Sequence, residues 1–302
     1  MKFGLRLPGA GPYAGPAAIE AFATKAEELG FDSLWMTDHI ALPVDIASRY
    51  PYREDGKFFW PAETPYLDAI LTLTWASAAT ERIRVGTSVL IAGWHHPLNT
   101  AKAFATLDVL NGGRTTVAIG TGWMREQFEI FGVPFETRGR RTTEYIRLLK
   151  HLWTEDVIDF HGEFFDYAGF KFYPKPKQQP AMPVWCGGKS DGVLRRVAAV
   201  ADGWHPLYIA PDELERKLET LEGYLAEHGR TLDEITLSAR PVTQARMDAA
   251  TVQRYTDLGV ELLIADTSFE HESLDGVLDE LDRLADELMP FAEGPVTQSL
   301  PA

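Results

Sequence analysis

Four short strings interrupt apolar runs, and each carries residue types able to do chemistry. TDH at 37–39 follows the apolar run SLWM. His39 can donate a hydrogen bond or shuttle a proton near neutral pH, since a free imidazole titrates near 6.5. Asp38 can shape the pocket or the adjoining loop. The plainer reading has Asp38 capping a turn and His39 filling space. GTSVLIAGWHHP begins at Gly86, where Thr87 and Ser88 are small and polar inside a β-type run, a composition that lets a flat ligand approach the backbone. AIGTGWMREQF spans 118–128; Gly120 and Gly122, on either side of Thr121, permit a tight turn, and Trp123 can wall a pocket. WCGGKSDGVLRR begins at Trp185. Gly187 and Gly188 end an apolar run, and Ser190 opens a helix whose free N–H groups and dipole attract phosphate. Ser190 as a plain N-cap, worth about 1 kcal/mol, is the alternative.

Other chemistries find less support. His95 and His96 are adjacent, so on an extended chain they point to opposite sides. No HxH or HExxH spacing accompanies them, and no metal site is expected. Cys186, the single cysteine, sits in an apolar run beside Trp185 with no base at a recognisable position, which suits a packed thiol. GTG lacks the third glycine of a dinucleotide fingerprint. Arg125 and Glu126 fit surface pairs, and Arg195 and Arg196 fit support or surface roles.

These strings need elements that bring them to one place. Apolar strand-like runs occur at 3–8, 33–37, 82–91, 115–122, 181–188, 201–207, 234–242 and 260–266, and a helical stretch follows each: 16–30, 64–81, 99–113, 142–154, 190–201, 211–229, 249–259 and 273–289. In the second helix Leu67, Ile70, Leu71 and Thr74 are expected on one face. In the last, Leu274, Val277, Leu278, Leu281, Leu284 and Leu288 recur at helical spacing and should bury against the wall. Eight such units in about 300 residues predict a (β/α)₈ TIM barrel, whose functional groups gather at the C-terminal ends of the strands. TDH, TSV, GTG and GGKS all stand at such ends. A doubly wound sheet accommodates eight consecutive units poorly. Two insertions exceed ordinary loop length, 40–65 after strand two and 157–183 before strand five, and long insertions tend to be lids or binding loops. A single domain is expected over 1–290, with a tail at 291–302.

Composition narrows the partners. With 29 basic and 44 acidic side chains the net charge is −15, a surface that repels nucleic acid and anionic lipid. The longest apolar stretches fall well short of the roughly 20 residues that cross a bilayer, and the opening MKFGLRLPG has no secretory pattern. A cytoplasmic protein is expected.

The strings GFDSLWMTDHI, ERIRVGTSVLIAGWHHPLNTAKAFATLDVLNGGR, AIGTGWMREQFEIFGVPFETRGRRTTEYIRLLKHLW and PKPKQQPAMPVWCGGKSDGVLRRVAAVADGW, in that order over about residues 1–290, resemble the luciferase-like monooxygenase superfamily, above all its actinobacterial coenzyme F420-dependent branch. The resemblance implies a deazaflavin or flavin ring at the C-terminal face of the barrel. It places His39 beside the ring for proton handling, with Asp38 as its companion. Ser88–Val89 matches a non-prolyl cis peptide that forms a bulge behind the ring. Gly120, Thr121 and Gly122 match the loop facing ring and tail, and Gly187, Gly188 and Ser190 the phosphate junction. The sugar-phosphate dehydrogenases of the family carry a catalytic glutamate where this chain has Trp123, which leaves reductase and monooxygenase chemistry open. The implied activity is F420-dependent hydride transfer to or from a small organic substrate. The alternative is a monooxygenase using reduced FMN and oxygen. A separate reductase supplying reduced cofactor and a homodimeric assembly belong to the same expectation.

Overall fold

The computed structural model describes residues 1–241, 247–267 and 271–292. The chain opens with β1 (Lys2–Arg6), α1 (Pro16–Glu28), β2 (Ser33–Met36) and α2 (Ala69–Ala78). Next come β3 (Arg84–Thr87), β4 (Leu90–Ile91), α3 (Pro97–Leu110), β5 (Thr115–Gly120), α4 (Arg125–Ile130) and α5 (Arg138–Thr154). A hairpin of β6 (Ile158–His161) and β7 (Asp166–Phe170) precedes β8 (Val184–Gly187), α6 (Asp191–Val200), β9 (Gly203–His205) and α7 (Pro211–Glu227). The last elements are β10 (Thr236–Ala239), α8 (Ala249–Asp257), β11 (Leu262–Ala265) and α9 (Leu274–Leu288).

Parallel pairing runs β1–β2–β3–β5–β8–β9–β10–β11 and returns from β11 to β1, so the described residues form a closed eight-stranded (β/α)₈ barrel. Closure removes every sheet edge, and helices cover the outer face. The strands are short and buried on both sides, as in SLWM of β2 and VWCG of β8. Inside, Trp35 of β2 stacks on Trp185 of β8, ring centroids 5.4 Å apart, and on His205 of β9 at 5.3 Å. Glycines on neighbouring strands make the room. A Cβ on Gly86 would lie 2.6 Å from the Trp35 ring, and one on Gly203 2.4 Å from Trp185.

Three details depart from the sequence pattern. The third strand, expected as one run over 82–91, breaks into β3 and β4 at a cis Ser88–Val89 bond, and β4 continues along β5. The second helix starts only at Ala69, where the Asp68 side chain accepts the Leu71 N–H at 2.9 Å as its N-cap. Its buried face is Ala69, Thr72, Leu73, Ala76 and Ser77, leaving Leu71 71% exposed rather than inward. The insertion at 157–183 is built around the β6–β7 hairpin, which has its own antiparallel ladder. In α9, Val277, Leu281, Leu284 and Leu288 are buried as expected. Residues 293–302, most of the expected tail, lie outside the described residues, and Met289–Phe291 form a short 3₁₀ turn.

Candidate active site

Every residue singled out for the site lines one cavity of about 440 Å³ at the C-terminal ends of the strands: Asp38, His39, Ser88, Val89, Gly120, Thr121, Gly122, Gly187, Gly188 and Ser190. The insertion at 40–65 lies over it. Tyr50 and Phe58 from that loop meet Trp123, with the Tyr50 and Trp123 rings 5.0 Å apart, and Phe59 packs on Tyr50 and Phe58. α4 holds the loop in place: Glu126 accepts the Ala47 and Ser48 N–H groups at 2.8 and 2.9 Å. Trp123 is therefore a cavity wall, and Arg125 forms a surface pair with Glu136 at 2.7 Å.

His39 sits among Phe58, Tyr66 and Trp94, ring centroids 5.0, 5.1 and 5.7 Å away. Its Nδ1 lies 3.2 Å from Gln127 Oε1. The Gln127 amide nitrogen donates to the Ala41 carbonyl, so Oε1 is the acceptor and the hydrogen-bond network assigns the proton to Nδ1. Burial pushes the pKa of His39 below the ordinary histidine value, outweighing the nearby Asp38 carboxylate and the Gln127 bond. The ring is thus neutral at pH 7, and Nε2 keeps a lone pair with no protein partner among the described residues.

Asp38 is not the partner of His39. Its Oδ2 accepts the Ile91 N–H at 2.9 Å and a bond from His95 Nε2 at 2.8 Å. Burial opposes charge on His95, but the bond to Asp38 and its charge, with Asp68 adding, hold its pKa above the ordinary value. Asp38 and His95 therefore lock the end of β2 to the turn after β4. His96 turns away and meets the Tyr167 hydroxyl at 3.3 Å.

The bulge has its own support. Ser88 Oγ lies 2.8 Å from His205 Nε2, and His205 Nδ1 lies 2.7 Å from Ser238 Oγ. Burial, reinforced by the positive charge of Arg240, drives the His205 pKa down to about 3, so this bridge across the barrel is neutral. Val89 turns its isopropyl group toward the glycines. A Cβ on Gly187 would approach Val89 Cγ1 to 2.3 Å, and one on Gly120 would approach Cγ2 to 2.5 Å. Those two glycines make room for Val89, whereas Gly122 and Gly188 make turns at φ +76° and +106°.

At the β8–α6 junction, Ser190 is the N-cap residue, yet its side chain makes no capping bond and faces the cavity. Gly188 is not a free donor: its N–H reaches the His205 carbonyl at 3.3 Å, and its carbonyl accepts Trp204 Nε1 at 2.8 Å. Lys189 is tied to Glu213 at 2.8 Å. Cys186 is buried, which pushes its thiol up to about 12 and fits packing. Arg196 bonds the Thr143 hydroxyl and the Gly139 carbonyl, a support role.

The sequence reading passed over Arg6, Tyr66, Gln127, His205, Tyr208 and Arg240. Arg6, His205 and Arg240 each stand near the C-terminal end of an expected strand, and that position is the signal for them in the sequence. Gln127 carried none. Tyr208 holds φ +50°, a left-handed backbone costing about 1–3 kcal/mol in a bulky residue and typical of functional positions. Among the described residues no group of three or more His, Cys, Asp or Glu could hold a metal ion, and no helix is long and apolar enough to cross a membrane.

An uncharacterized protein of Mycobacterium tuberculosis is 36% identical to this chain over 209 residues, covering 69% of this chain and 72% of its own length. An F420-dependent glucose-6-phosphate dehydrogenase of Kineococcus radiotolerans is 32% identical over 282 residues, 90% of this chain and 76% of its own. The monooxygenase RslO1 of Streptomyces bottropensis shares the fold at TM-score 0.74 and 18% identity, over 96% of this chain and 99% of its own. The luciferase-like monooxygenase family profile matches residues 1–287, and with a closed barrel carrying the bulge, glycine loop and β8–α6 junction around one cavity, this chain belongs to that family.

Proposed function

We propose that the protein is a coenzyme F420-dependent oxidoreductase that moves a hydride between the deazaflavin and a small organic substrate. The carrying observation is His39, a neutral, half-buried imidazole whose free nitrogen belongs to a residue lining a cavity shaped for a flat anionic ligand. The donor set fits a flavin or deazaflavin. Aromatic walls suit a planar ring, and the Trp94 indole N–H, in a residue lining the cavity, is a buried donor without a protein acceptor. Ser190 and the first N–H groups of α6 suit a phosphate. In this reading Ser88 and Val89 back the ring, Gly120, Thr121 and Gly122 flank it, and Gly187 and Gly188 shape the junction at which Ser190 receives the phosphate. Asp38 holds the β2 end in place through His95. The deazaflavin, when bound, supplies a two-electron hydride acceptor or donor. His39 Nε2 takes the substrate hydroxyl proton during oxidation and returns it during reduction. Its lowered pKa favours the base form at neutral pH. The glucose-6-phosphate dehydrogenase relative favours F420, while Trp123 argues for a different substrate.

Titrating the purified protein with oxidised F420 and with FMN, followed by ring fluorescence, tests the cofactor. Tighter F420 binding is expected; selective FMN binding moves the protein to oxygen-dependent chemistry. His39→Ala should lower turnover by about 10²–10⁴, the usual worth of a general base, while changing cofactor affinity modestly. Full turnover in the variant removes His39 from the reaction.

The same reading makes the protein a cytoplasmic homodimer fed by a separate reductase. α2 lacks any charged side chain and exposes Leu71 and Trp75, and α3 exposes Val109 and Leu110, outward apolar side chains suited to a second copy.

A further inference from the structure

The arc of the mouth running β9–β10–β11–β1 is left over by the cofactor reading above, on which this inference rests. That reading uses the ends of β2, β3, β5 and β8. The remaining arc presents Tyr208, Arg240 and Arg6 to the same cavity, and the insertion at 40–65 adds Tyr50 and Tyr52. Arg240 is 3% exposed. Its Nη2 is spent on Asp266 and on the Tyr208 hydroxyl at 3.1 Å, whereas Nε is buried with no acceptor. Asp266 also accepts from Arg6 Nε at 2.9 Å, so the two guanidiniums share one carboxylate. The Tyr52 ring lies 5.5 Å from Tyr208, and among the described residues the Tyr50 and Tyr52 hydroxyls have no protein partner.

Charge points the same way. The chain carries −15, yet the five cations lining the cavity, Arg6, Arg49, Arg138, Lys189 and Arg240, outnumber the carboxylates paired with them, Asp266 and Glu213, and the lining Asp38, already engaged by His95 and the Ile91 N–H. A buried guanidinium donor without an acceptor is costly and calls for one from outside the chain. Tyr208 points in the same direction. Its left-handed backbone is held by Lys189 Nζ on its carbonyl at 3.1 Å, and this keeps its phenol on Arg240.

We propose that the substrate carries a carboxylate, received on the β9–β1 arc by Arg240 with the hydroxyls of Tyr52 and Tyr208, while its reacting carbon faces His39. The remaining guanidinium donors of Arg240 and the two phenol hydroxyls together offer charge-assisted hydrogen bonds to the two oxygens of a carboxylate. The substrate class is then a hydroxy acid or the corresponding oxo acid. In oxidation the carbinol C–H bond breaks and its electron pair passes, with the hydrogen, to the oxidised deazaflavin. The O–H bond breaks, its proton goes to His39 Nε2, and the C=O bond forms.

Calorimetric titration of the full chain with benzoate and with benzamide, equal in shape and different in charge, tests the assignment. Benzoate should bind at least tenfold more tightly. Tyr52→Phe and Tyr208→Phe should each weaken benzoate about tenfold, the worth of one hydrogen bond to a charged group, with melting temperatures near wild type. Arg240→Gln should abolish binding; if that variant fails to fold, the two tyrosine variants carry the test. Ser190→Ala should leave benzoate affinity unchanged. Equal affinity for benzoate and benzamide, unchanged affinity in both tyrosine variants, or weakening by Ser190→Ala alone overturns the inference. Tyrosine-dependent benzoate binding in a protein that takes up no F420 upholds the carboxylate site and rejects the cofactor reading instead.

Discussion

Replacing His205 by glutamine should flatten the acid limb of the stability curve. His205 is buried between Ser88 and Ser238, and its pKa in the folded chain is about 3. In the unfolded chain it titrates near 6.5. As pH falls below that value the unfolded state takes up a proton that the native state refuses, so stability is full above about pH 6.5 and is lost toward pH 3. The slope approaches about 1.36 kcal/mol per pH unit, and integration from pH 7.5 to 5.5 gives a loss of about 1.4 kcal/mol from this one residue. That range stays above the isoelectric point of about 5.0. Urea unfolding at pH 7.5, 6.5 and 5.5, followed by tryptophan fluorescence, measures the loss in wild type and in His205→Gln. The variant starts from lower stability, since two serine bonds are rearranged, but its decline across the range should be smaller by about 1.4 kcal/mol. His39 titrates in both proteins and cancels. Parallel declines would mean that His205 accepts a proton inside the barrel, and the neutral Ser88–His205–Ser238 bridge would be refuted.

Ser190→Ala should cost little stability, because the Ser190 side chain makes no capping bond, yet weaken cofactor binding about tenfold; thermal melts and fluorescence titration separate the two effects. Gly187→Ala places a methyl group 2.3 Å from Val89 Cγ1 and should destabilise the protein by about 1–3 kcal/mol through overpacking. Adding Val89→Ala should recover most of that loss in urea unfolding, and no recovery would place the clash elsewhere. Sedimentation equilibrium should give a dimer for wild type and a monomer for Leu71→Asp with Trp75→Asp, whereas a monomeric wild type rejects the α2–α3 surface.

Alternation of eight apolar runs with eight helical stretches was enough to give the barrel. The hydrophobic period is set residue by residue, and a closed parallel sheet buries eight short strands on both faces without leaving an edge. The positions of TDH, TSV, GTG and GGKS at strand ends then put His39, Ser88, Gly120 and Gly188 at one mouth without any knowledge of contacts. Partners were a different matter. Asp38 stands next to His39 in the chain, but adjacent side chains leave a strand end in different directions, and the carboxylate found His95, 57 positions on. The fourth-strand loop read as glycines and a tryptophan, whereas the acceptor for His39 Nδ1–H is Gln127, delivered by one turn of α4. Gly120 suggested a tight turn and Gly187 the end of a strand; in the folded chain both make room for Val89. Arg6 meets Asp266 across 260 positions because barrel closure makes the first and last strands neighbours. Local sequence determines which residues reach the mouth of the barrel, since strand period and strand end are local properties. Which of them touch is decided by closure and by the paths of the loops, which depend on packing across the whole molecule.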